Sequence, residues 1–583
     1  MEKRITPVVL HLPTYQSINH LRAVVDSTGP IKHGSQPQQL LSDIWHHLSF
    51  QPLLLLLLAI LGLFYLMISV RTSFKKSTAH GSARFASRWE ILRYHQGMLA
   101  RSWQRLQRKS QPPESRLVLG RYRGLSISLS EKQQESNVLL TAPVGSGKSS
   151  LVIIPNLLRE QGSRSLFIAD LKGELYALTA GSMSHSHQIW HFAPTNPETS
   201  QGYNPLAHIH TIEEAQDFAD CWVSNTGENQ EPYFANTARL LISAVVLHLR
   251  DAEPTAPFSR LAEIIKGMTF AEIKTLFSIS PSAAARREAQ SFLDYMSRNE
   301  RLVGSIMTDI GNRFQLLASQ DICHATASND LDFRQMVEEP TAFYLSIPRN
   351  ATRRLRPLLA CLTMQMFTCW ERYAEQRPSR TLPRSVACYL DEFTNIGHIP
   401  GFAEFISSAR SKRIALLMAI QSFSQLNACY GEDDAETIKN NAVTHLLLPG
   451  AGLQETRYYS ERIGDTTVQT ATSTLAGGGQ NSLAQGETRR RLLAPEELRT
   501  LPENIVLMVS KASPPLLIRA RPYFRDRRLA GLANVPYVLR EKKRQPVAGS
   551  QDDSQEQASA KVAVSVGKDE HERQNGECFL EED

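Results

Sequence analysis

The segment SNVLLTAPVGSGKSSLVIIPNLL, residues 136–158, constrains the fold more than any other. An apolar run from Val138 to Leu140 enters a short Gly/Ser loop and leaves it in a helical stretch, the context that a phosphate-binding loop requires. Gly145 and Gly147 let the backbone amides curl around phosphate oxygens, and the following helix presents its positive N-terminus to the same anion. The expected nucleotide-binding set is Pro143, Val144, Gly145, Ser146, Gly147, Lys148, Ser149 and Ser150. Lys148 would reach the β and γ phosphates, and the Ser149 hydroxyl would ligate Mg²⁺. Ala142 stands where the pattern G-x-x-x-x-G-K-[ST] begins with glycine, so the strict motif is missed by one methyl group.

A second apolar run, SVACYLDEF, ends in Asp391 and Glu392, as a partner carboxylate at the carboxyl edge of a parallel sheet should. Asp391 is expected to hold the Mg²⁺ shell and Glu392 to orient an attacking water, with positioning and charge neutralisation doing most of the catalysis. The two stretches read as the halves of one ATPase site, with ATP and Mg²⁺ as its ligands. Further runs, SLFIADLKGE, TAFYLSIP, RIALLMAIQS, THLLLPG and NIVLMVS, are mostly short, apolar on both faces and separated by helical segments. That pattern argues for a parallel α/β sheet covered on both sides. Gln421 follows the run at 414–420, where a side chain can sense a γ-phosphate; a solvated glutamine at a strand end reads the same way. Asp170 and Lys172 lie at the end of the run after the loop's helix, placed to position nucleotide, to contact another subunit or to pair structurally.

At 583 residues and 42% hydrophobic content the chain is long enough for several packed cores. Its seven cysteines lie far apart with no C-x-x-C, which argues against a disulfide scaffold or structural zinc. The formal charge of +6 hides an asymmetry. Residues 545–583 carry three Lys/Arg against ten Asp/Glu, a balance of −7 that leaves the other 544 residues at +13. A basic body suits nucleic acid, anionic lipid or acidic protein partners, and it suits plain solubility equally well.

From Pro52 to Val70, nineteen residues without charge are about the length that crosses a bilayer core of roughly 30 Å. Arg71, Lys75, Lys76, Arg84 and Arg88 follow this run, whereas only Lys32 occupies residues 31–50, so the bulk of the chain is expected on the cytoplasmic side. Between YNPL and the run at 342–347 the periodicity turns helical, which predicts an all-α lobe inserted in the sheet domain. Residues 473–488, STLAGGGQNSLAQGET, read as a mobile loop between strands ahead of Arg489, Arg490 and Arg491, and a loop lining a DNA channel or a solvated hairpin tip fits the same composition. The expected organisation is a polar segment 1–47, a transmembrane helix 48–70, a basic linker 71–116, an ATPase domain in two parts (117–205 and 331–537) split by the lobe 206–330, and a disordered acidic tail 538–583.

The ordered series HGSARFAS, APVGSGKSS, DLKGELY, YNPL, LDEFTNIGHIPGF, AIQSFSQLNACYG and RRRLLAPEEL resembles the VirD4/TraG-type coupling proteins of conjugative and type IV secretion systems, from His80 to about Phe524. The resemblance implies a RecA-like P-loop ATPase, hexameric and anchored in the bacterial inner membrane. It further implies a DNA-dependent translocase that recruits a relaxase-bound single strand of DNA and feeds it to the secretion channel components. A coupling ATPase for protein effectors, without DNA pumping, is the alternative. By the same resemblance Lys148 and Ser149 meet phosphates and Mg²⁺, Asp391 and Glu392 serve metal and water, and Gln421 matches the family's glutamine after the next strand. Arg410, eighteen residues beyond Glu392, stands at the position of the arginine that reaches into a neighbouring subunit's site, with Arg413 as its nearby competitor. Such a guanidinium would stabilise charge on the transferring phosphoryl and make hydrolysis depend on assembly. The family commonly has two N-terminal spans, whereas one apolar run is visible here.

Overall fold

The computed structural model describes residues 56–64, 78–94, 114–227, 231–298, 300–475 and 481–537. The chain divides between Ala79 and His80. In the first part, residues 56–64 of the apolar run form an exposed helix, and the rest of the run expected to span a membrane lies outside the described residues. Among the described residues no helix is long and apolar enough to cross a membrane. The acidic tail expected over 538–583 also lies outside them.

The second part is built on an eleven-stranded sheet in the order β2-β1-β13-β12-β9-β3-β8-β7-β4-β6-β5. Seven neighbouring strands are parallel: β9 (Thr444–Leu447), β3 (Val138–Thr141), β8 (Ile414–Ile420), β7 (Val386–Leu390), β4 (Ser165–Asp170), β6 (Thr341–Ser346) and β5 (Gln188–Phe192). Apart from Gln188 at the start of β5 their side chains are buried on both faces, and alternation sorts them into two cores. Leu139, Phe167, Phe343, Leu390 and Met418 join one core, while Val138, Leu140, Ile168, Tyr344, Tyr389 and Leu417 join the other. This is the pattern of a sheet with helices on each side, and it explains the continuous apolar runs.

Four strands at one edge run antiparallel: β12 (Ile505–Ser510), β13 (Ser513–Arg519), β1 (Leu117–Tyr122) and β2 (Leu125–Leu129). NIVLMVS, expected in the parallel set, is therefore an antiparallel strand, joined to β13 by a turn too short for a parallel crossover. The loop expected over 473–488 is largely a hairpin, β10 (Asp465–Leu475) paired with β11 (Asn481–Arg491). Its arginines face carboxylates at the hairpin base: Arg489 and Arg491 meet Asp465, and Arg490 meets Glu497 at 2.6 Å. Residues 80–94 of the segment expected as a linker pack on the sheet edge, where Ala86 N donates to Pro515 O at 3.1 Å and Tyr94 Oη lies 3.0 Å from Ser513 Oγ.

Between β5 and β6 the chain forms a helical lobe, with Ile212–Ser224, Pro232–Ala252, Ala283–Arg298 and Val303–Asn312 among its helices. Phe218, Trp222, Leu241, Phe258 and Phe314 bring it into the same core as the long helix Thr352–Glu375 and one face of the sheet.

Candidate nucleotide site at the carboxyl edge of the sheet

Parallel strands end on one edge of their sheet, and that edge collects the side chains that follow them. Here Lys148 follows β3, Gln421 follows β8, Asp391 and Glu392 follow β7, Lys172 follows β4 and Arg349 follows β6. The phosphate loop leaves β3 through Ala142, whose N–H still donates to Ile420 O at 2.9 Å and prolongs the ladder. Gly145 and Gly147 then take φ of 80° and 83°, values that a side chain would strain. A Cβ on Gly147 would also lie 3.2 Å from Leu151 Cδ1, so the turn is closed by the helix it starts. Ser146 Oγ donates to Pro143 O at 2.7 Å, and Ser150 Oγ donates to Gly147 O at 3.2 Å, which hold the loop's curvature from both sides. The helix opens with a π turn, Ser149–Ile153, and continues as Ile154–Leu157. Ser149 is half-buried at its start.

Lys148 bends across β8 to the end of β7. Its Nζ lies 2.9 Å from Asp391 Oδ1 and 3.3 Å from Glu392 Oε1, with all three side chains nearly buried. Lys172 Nζ adds a second cation 3.4 Å from Glu392 Oε1, and Arg349, exposed at 61% of its side chain, a third at 3.8 Å. Burial pushes the Asp391 carboxyl up, against the pull of Lys148. Burial would raise Glu392 as well, but Lys148 and Lys172 outweigh it and leave that carboxyl below its ordinary value. Asp170 is pushed up to about 6 by burial, although Tyr176 N–H donates to its Oδ2 at 2.8 Å.

The donor set suits a nucleotide with Mg²⁺. Asp391 Oδ1 is buried with an ion pair but no directed hydrogen bond, so a lone pair is left for a hard cation's shell. Among the described residues no group of three or more His, Cys, Asp or Glu could hold a metal ion.

Gln421 sits beside the loop, where its Oε1 accepts from Gln425 Nε2 at 3.4 Å. Arg410 is not brought to this site. It is exposed in the turn Ala409–Lys412, before β8 begins, at the opposite edge of the sheet. Arg413 closes that turn at φ 69° and lies on the same edge. Sequence reasoning passed over Arg349 and Asn395. Arg349 lies three residues past β6, and a cation just after an apolar run was the available signal. Asn395, three residues past Glu392, donates through Nδ2 to Glu392 Oε2 at 2.9 Å. A cavity of about 370 Å³ opens elsewhere, lined by His208, Phe333, Arg334 and Arg372 among others, and shares no residue with the phosphate loop.

The family model for Type IV secretory system Conjugative DNA transfer matches residues 101–563. Protein VirD4 of Agrobacterium fabrum is 25% identical over 474 residues, spanning 79% of this chain and 68% of that one. Conjugal transfer protein TraG of Escherichia coli is 27% identical over 466 residues, spanning 73% of this chain and 71% of that one. The plasmid coupling protein TrwB in complex with the non-hydrolysable ATP analogue ADPNP shares the fold with a TM-score of 0.54 at 16% identity, over 76% of this chain and 94% of that one. TrwB in complex with ADP and Mg²⁺ gives 0.52 at 17%, over 72% and 91%. With well over half of its length matched by the family model, the chain belongs to the Type IV secretory system conjugative DNA transfer family, among the VirD4/TraG-type coupling proteins.

Proposed function

We propose that this chain is an ATP-hydrolysing coupling protein that takes a relaxase-bound single strand of DNA and passes it to a secretion or conjugation channel at a bacterial inner membrane, as a homo-hexamer. The observation that carries the chemistry is the meeting of Lys148 with Asp391 at 2.9 Å and with Glu392 at 3.3 Å, although Lys148 and Glu392 are 244 positions apart in the chain. A phosphate loop that shares its lysine with two carboxylates is poised for exchange: an incoming triphosphate takes Lys148 and releases Asp391 and Glu392 to other partners. Ser149 and Asp391 are the side chains that would hold Mg²⁺, which supplies charge neutralisation to the phosphate oxygens when bound. Glu392, kept ionised by Lys148 and Lys172, orients the attacking water and accepts its proton. TrwB binds ADPNP, and ADP with Mg²⁺, on the same fold, and the same ligands are proposed here.

The test uses the full chain in detergent micelles, assayed for ATP hydrolysis with and without single-stranded DNA. Lys148→Ala is expected to abolish nucleotide binding and turnover, and DNA is expected to raise the parental rate. A parental rate indifferent to DNA would favour the coupling of protein effectors instead, and an active Lys148→Ala variant would remove the site.

A further inference from the structure

Glu392 occupies a left-handed backbone position, φ 55° and ψ 50°, which a non-glycine residue keeps only when its surroundings hold it there. The holding groups are visible. Glu392 O accepts from Asn395 N at 2.8 Å, and Asn395 Oδ1 accepts from Arg356 Nη2 at 3.4 Å. Three residues further on, the helical lobe takes over. Asn225 Nδ2 donates to His398 O at 2.7 Å while Asn225 Oδ1 accepts from His398 N at 2.8 Å, so one side-chain amide pairs with both backbone groups of one residue. A Cβ on Gly397 would fall 2.4 Å from Asn225 Oδ1, and φ there is +110°; glycine is what lets the amide approach.

Asn225 directly follows the lobe helix Ile212–Ser224, and the lobe grips its turn from the other side. Arg313, at the end of Val303–Asn312 and buried, donates through Nη1 to Val223 O at 3.2 Å and to Thr226 O at 2.7 Å. A guanidinium at a helix C-terminus is well placed for the last carbonyls and for the helix dipole. The lobe is thus joined to the Glu392 loop by two short directional bonds at Asn225.

We propose that Asn225 is a positioning residue through which the helical lobe sets the orientation of Glu392, so that engagement of the lobe changes the rate of hydrolysis without changing nucleotide affinity. The inference rests on the reading of Glu392 as the group that orients water. Paired hydrogen bonds of this kind transmit small displacements, and a shift of about 1 Å in a catalytic group costs up to roughly a hundredfold in rate.

The experiment compares the full chain in detergent with Asn225→Ala, Glu392→Gln and the double variant, by steady-state hydrolysis and by binding of a non-hydrolysable ATP analogue. Asn225→Ala is expected to lower kcat roughly tenfold or more while KM and analogue affinity stay within about twofold, because it acts in the transition state. Asn225→Asp, which keeps the acceptor for His398 N but sets a carboxylate against His398 O, is expected to lose rate as well. Adding Asn225→Ala to Glu392→Gln is expected to change the residual rate no further, since the first acts through the second. A parental kcat in Asn225→Ala overturns the proposal. So does loss of analogue binding, which would mark Asn225 as a merely structural residue, and so does a multiplied loss in the double variant. Parental turnover in Glu392→Gln would remove both the role of Glu392 and the relay, whereas an inactive Glu392→Gln beside a fully active Asn225→Ala removes the relay alone.

Discussion

At the scale of single residues, the ground beneath the phosphate loop matters as much as the loop. Thr141, the last residue of β3, has its Oγ1 2.8 Å from Tyr459 Oη, which in turn lies 3.3 Å from His445 Nδ1. His445 Nε2 faces the carbonyls of Lys439 at 3.0 Å and Ala442 at 3.1 Å, so the neutral ring carries its proton there and accepts at Nδ1. Burial pushes this imidazole down to about 3, and the charges of Arg462 and Lys511 act in the same direction. The folded value lies below the ordinary 6.5, so the contribution to stability is whole above pH 6.5 and is lost as pH falls toward 3. At pH 5 the loss is about 2 kcal/mol. Urea midpoints of the full chain are expected to drop between pH 7 and pH 5, and His445→Gln to show a shallower drop. His191 and His208 titrate with the same sign, so the measurement is the difference between variant and parent, and equal slopes would remove His445 from the account. None of this chain was legible beforehand, because it joins β3, β9 and the helix Leu453–Ile463, which only the fold makes neighbours. The lysine and the two carboxylates were legible, since Lys148 closes the Gly/Ser loop that follows one apolar run and Asp391 and Glu392 together end another. Of the second and third cations on Glu392, Lys172 was placed at this sheet edge without its partner and Arg349 was passed over, because strand order decides which run ends beside Glu392.

At the scale of elements, alternation and chain length carried most of the reading. Six of the apolar runs form strands of the parallel set in which both faces are buried, but nothing in NIVLMVS separates a parallel from an antiparallel strand when both of its faces are covered. A loop between strands was legible at 473–488, but the reach of the strands β10 and β11 into it was hidden by its glycines and serines, although the run TTVQTATST carries the Thr and Val that favour strands. Helix Glu174–Met183 shows how closely elements meet. At Gly181 a Cβ would lie 2.0 Å from Val535 O and 2.7 Å from Val535 C, and Tyr176 on the same helix meets Tyr537 edge-on at 6.2 Å. Two effects compete in Gly181→Ala. Helix propensity favours alanine by about 0.5–1 kcal/mol, and overlap with a backbone that cannot step aside costs about 1–3 kcal/mol. The overlap is expected to win, lowering the melting temperature of the full chain and increasing proteolysis near 534–537. A raised melting temperature with unchanged cleavage would show that the segment does not pack there in solution.

At the scale of the whole molecule, Arg410 raises the question of whether one chain is a complete enzyme. It precedes β8, whereas Lys148, Asp391 and Glu392 gather at the opposite edge, where β3 and β7 end. Seven residues of β8 span about 23 Å, which no arginine side chain bridges, so Arg410 has no part in its own chain's site. Its exposure leaves it available to another copy. In a cyclic assembly with head-to-tail contacts, one edge of each copy faces the other edge of the next. Arg410→Ala is then expected to bind nucleotide like the parent and to lose hydrolysis, by about a thousandfold at the low end for an arginine supplied in trans. Mixing separates this from a structural defect. Arg410→Ala and Glu392→Gln, each inactive alone, are expected to recover activity when co-assembled, because a site with intact Glu392 can sit beside a neighbour with intact Arg410. Random mixing in equal amounts leaves about a quarter of sites so arranged. Hydrolysis near a quarter of the parental rate would assign the arginine to its neighbour's nucleotide. No recovery in a verified mixed assembly, or full activity of Arg410→Ala alone, would remove it from the catalytic set and leave each copy to work with Lys148, Lys172 and Arg349 as its cations.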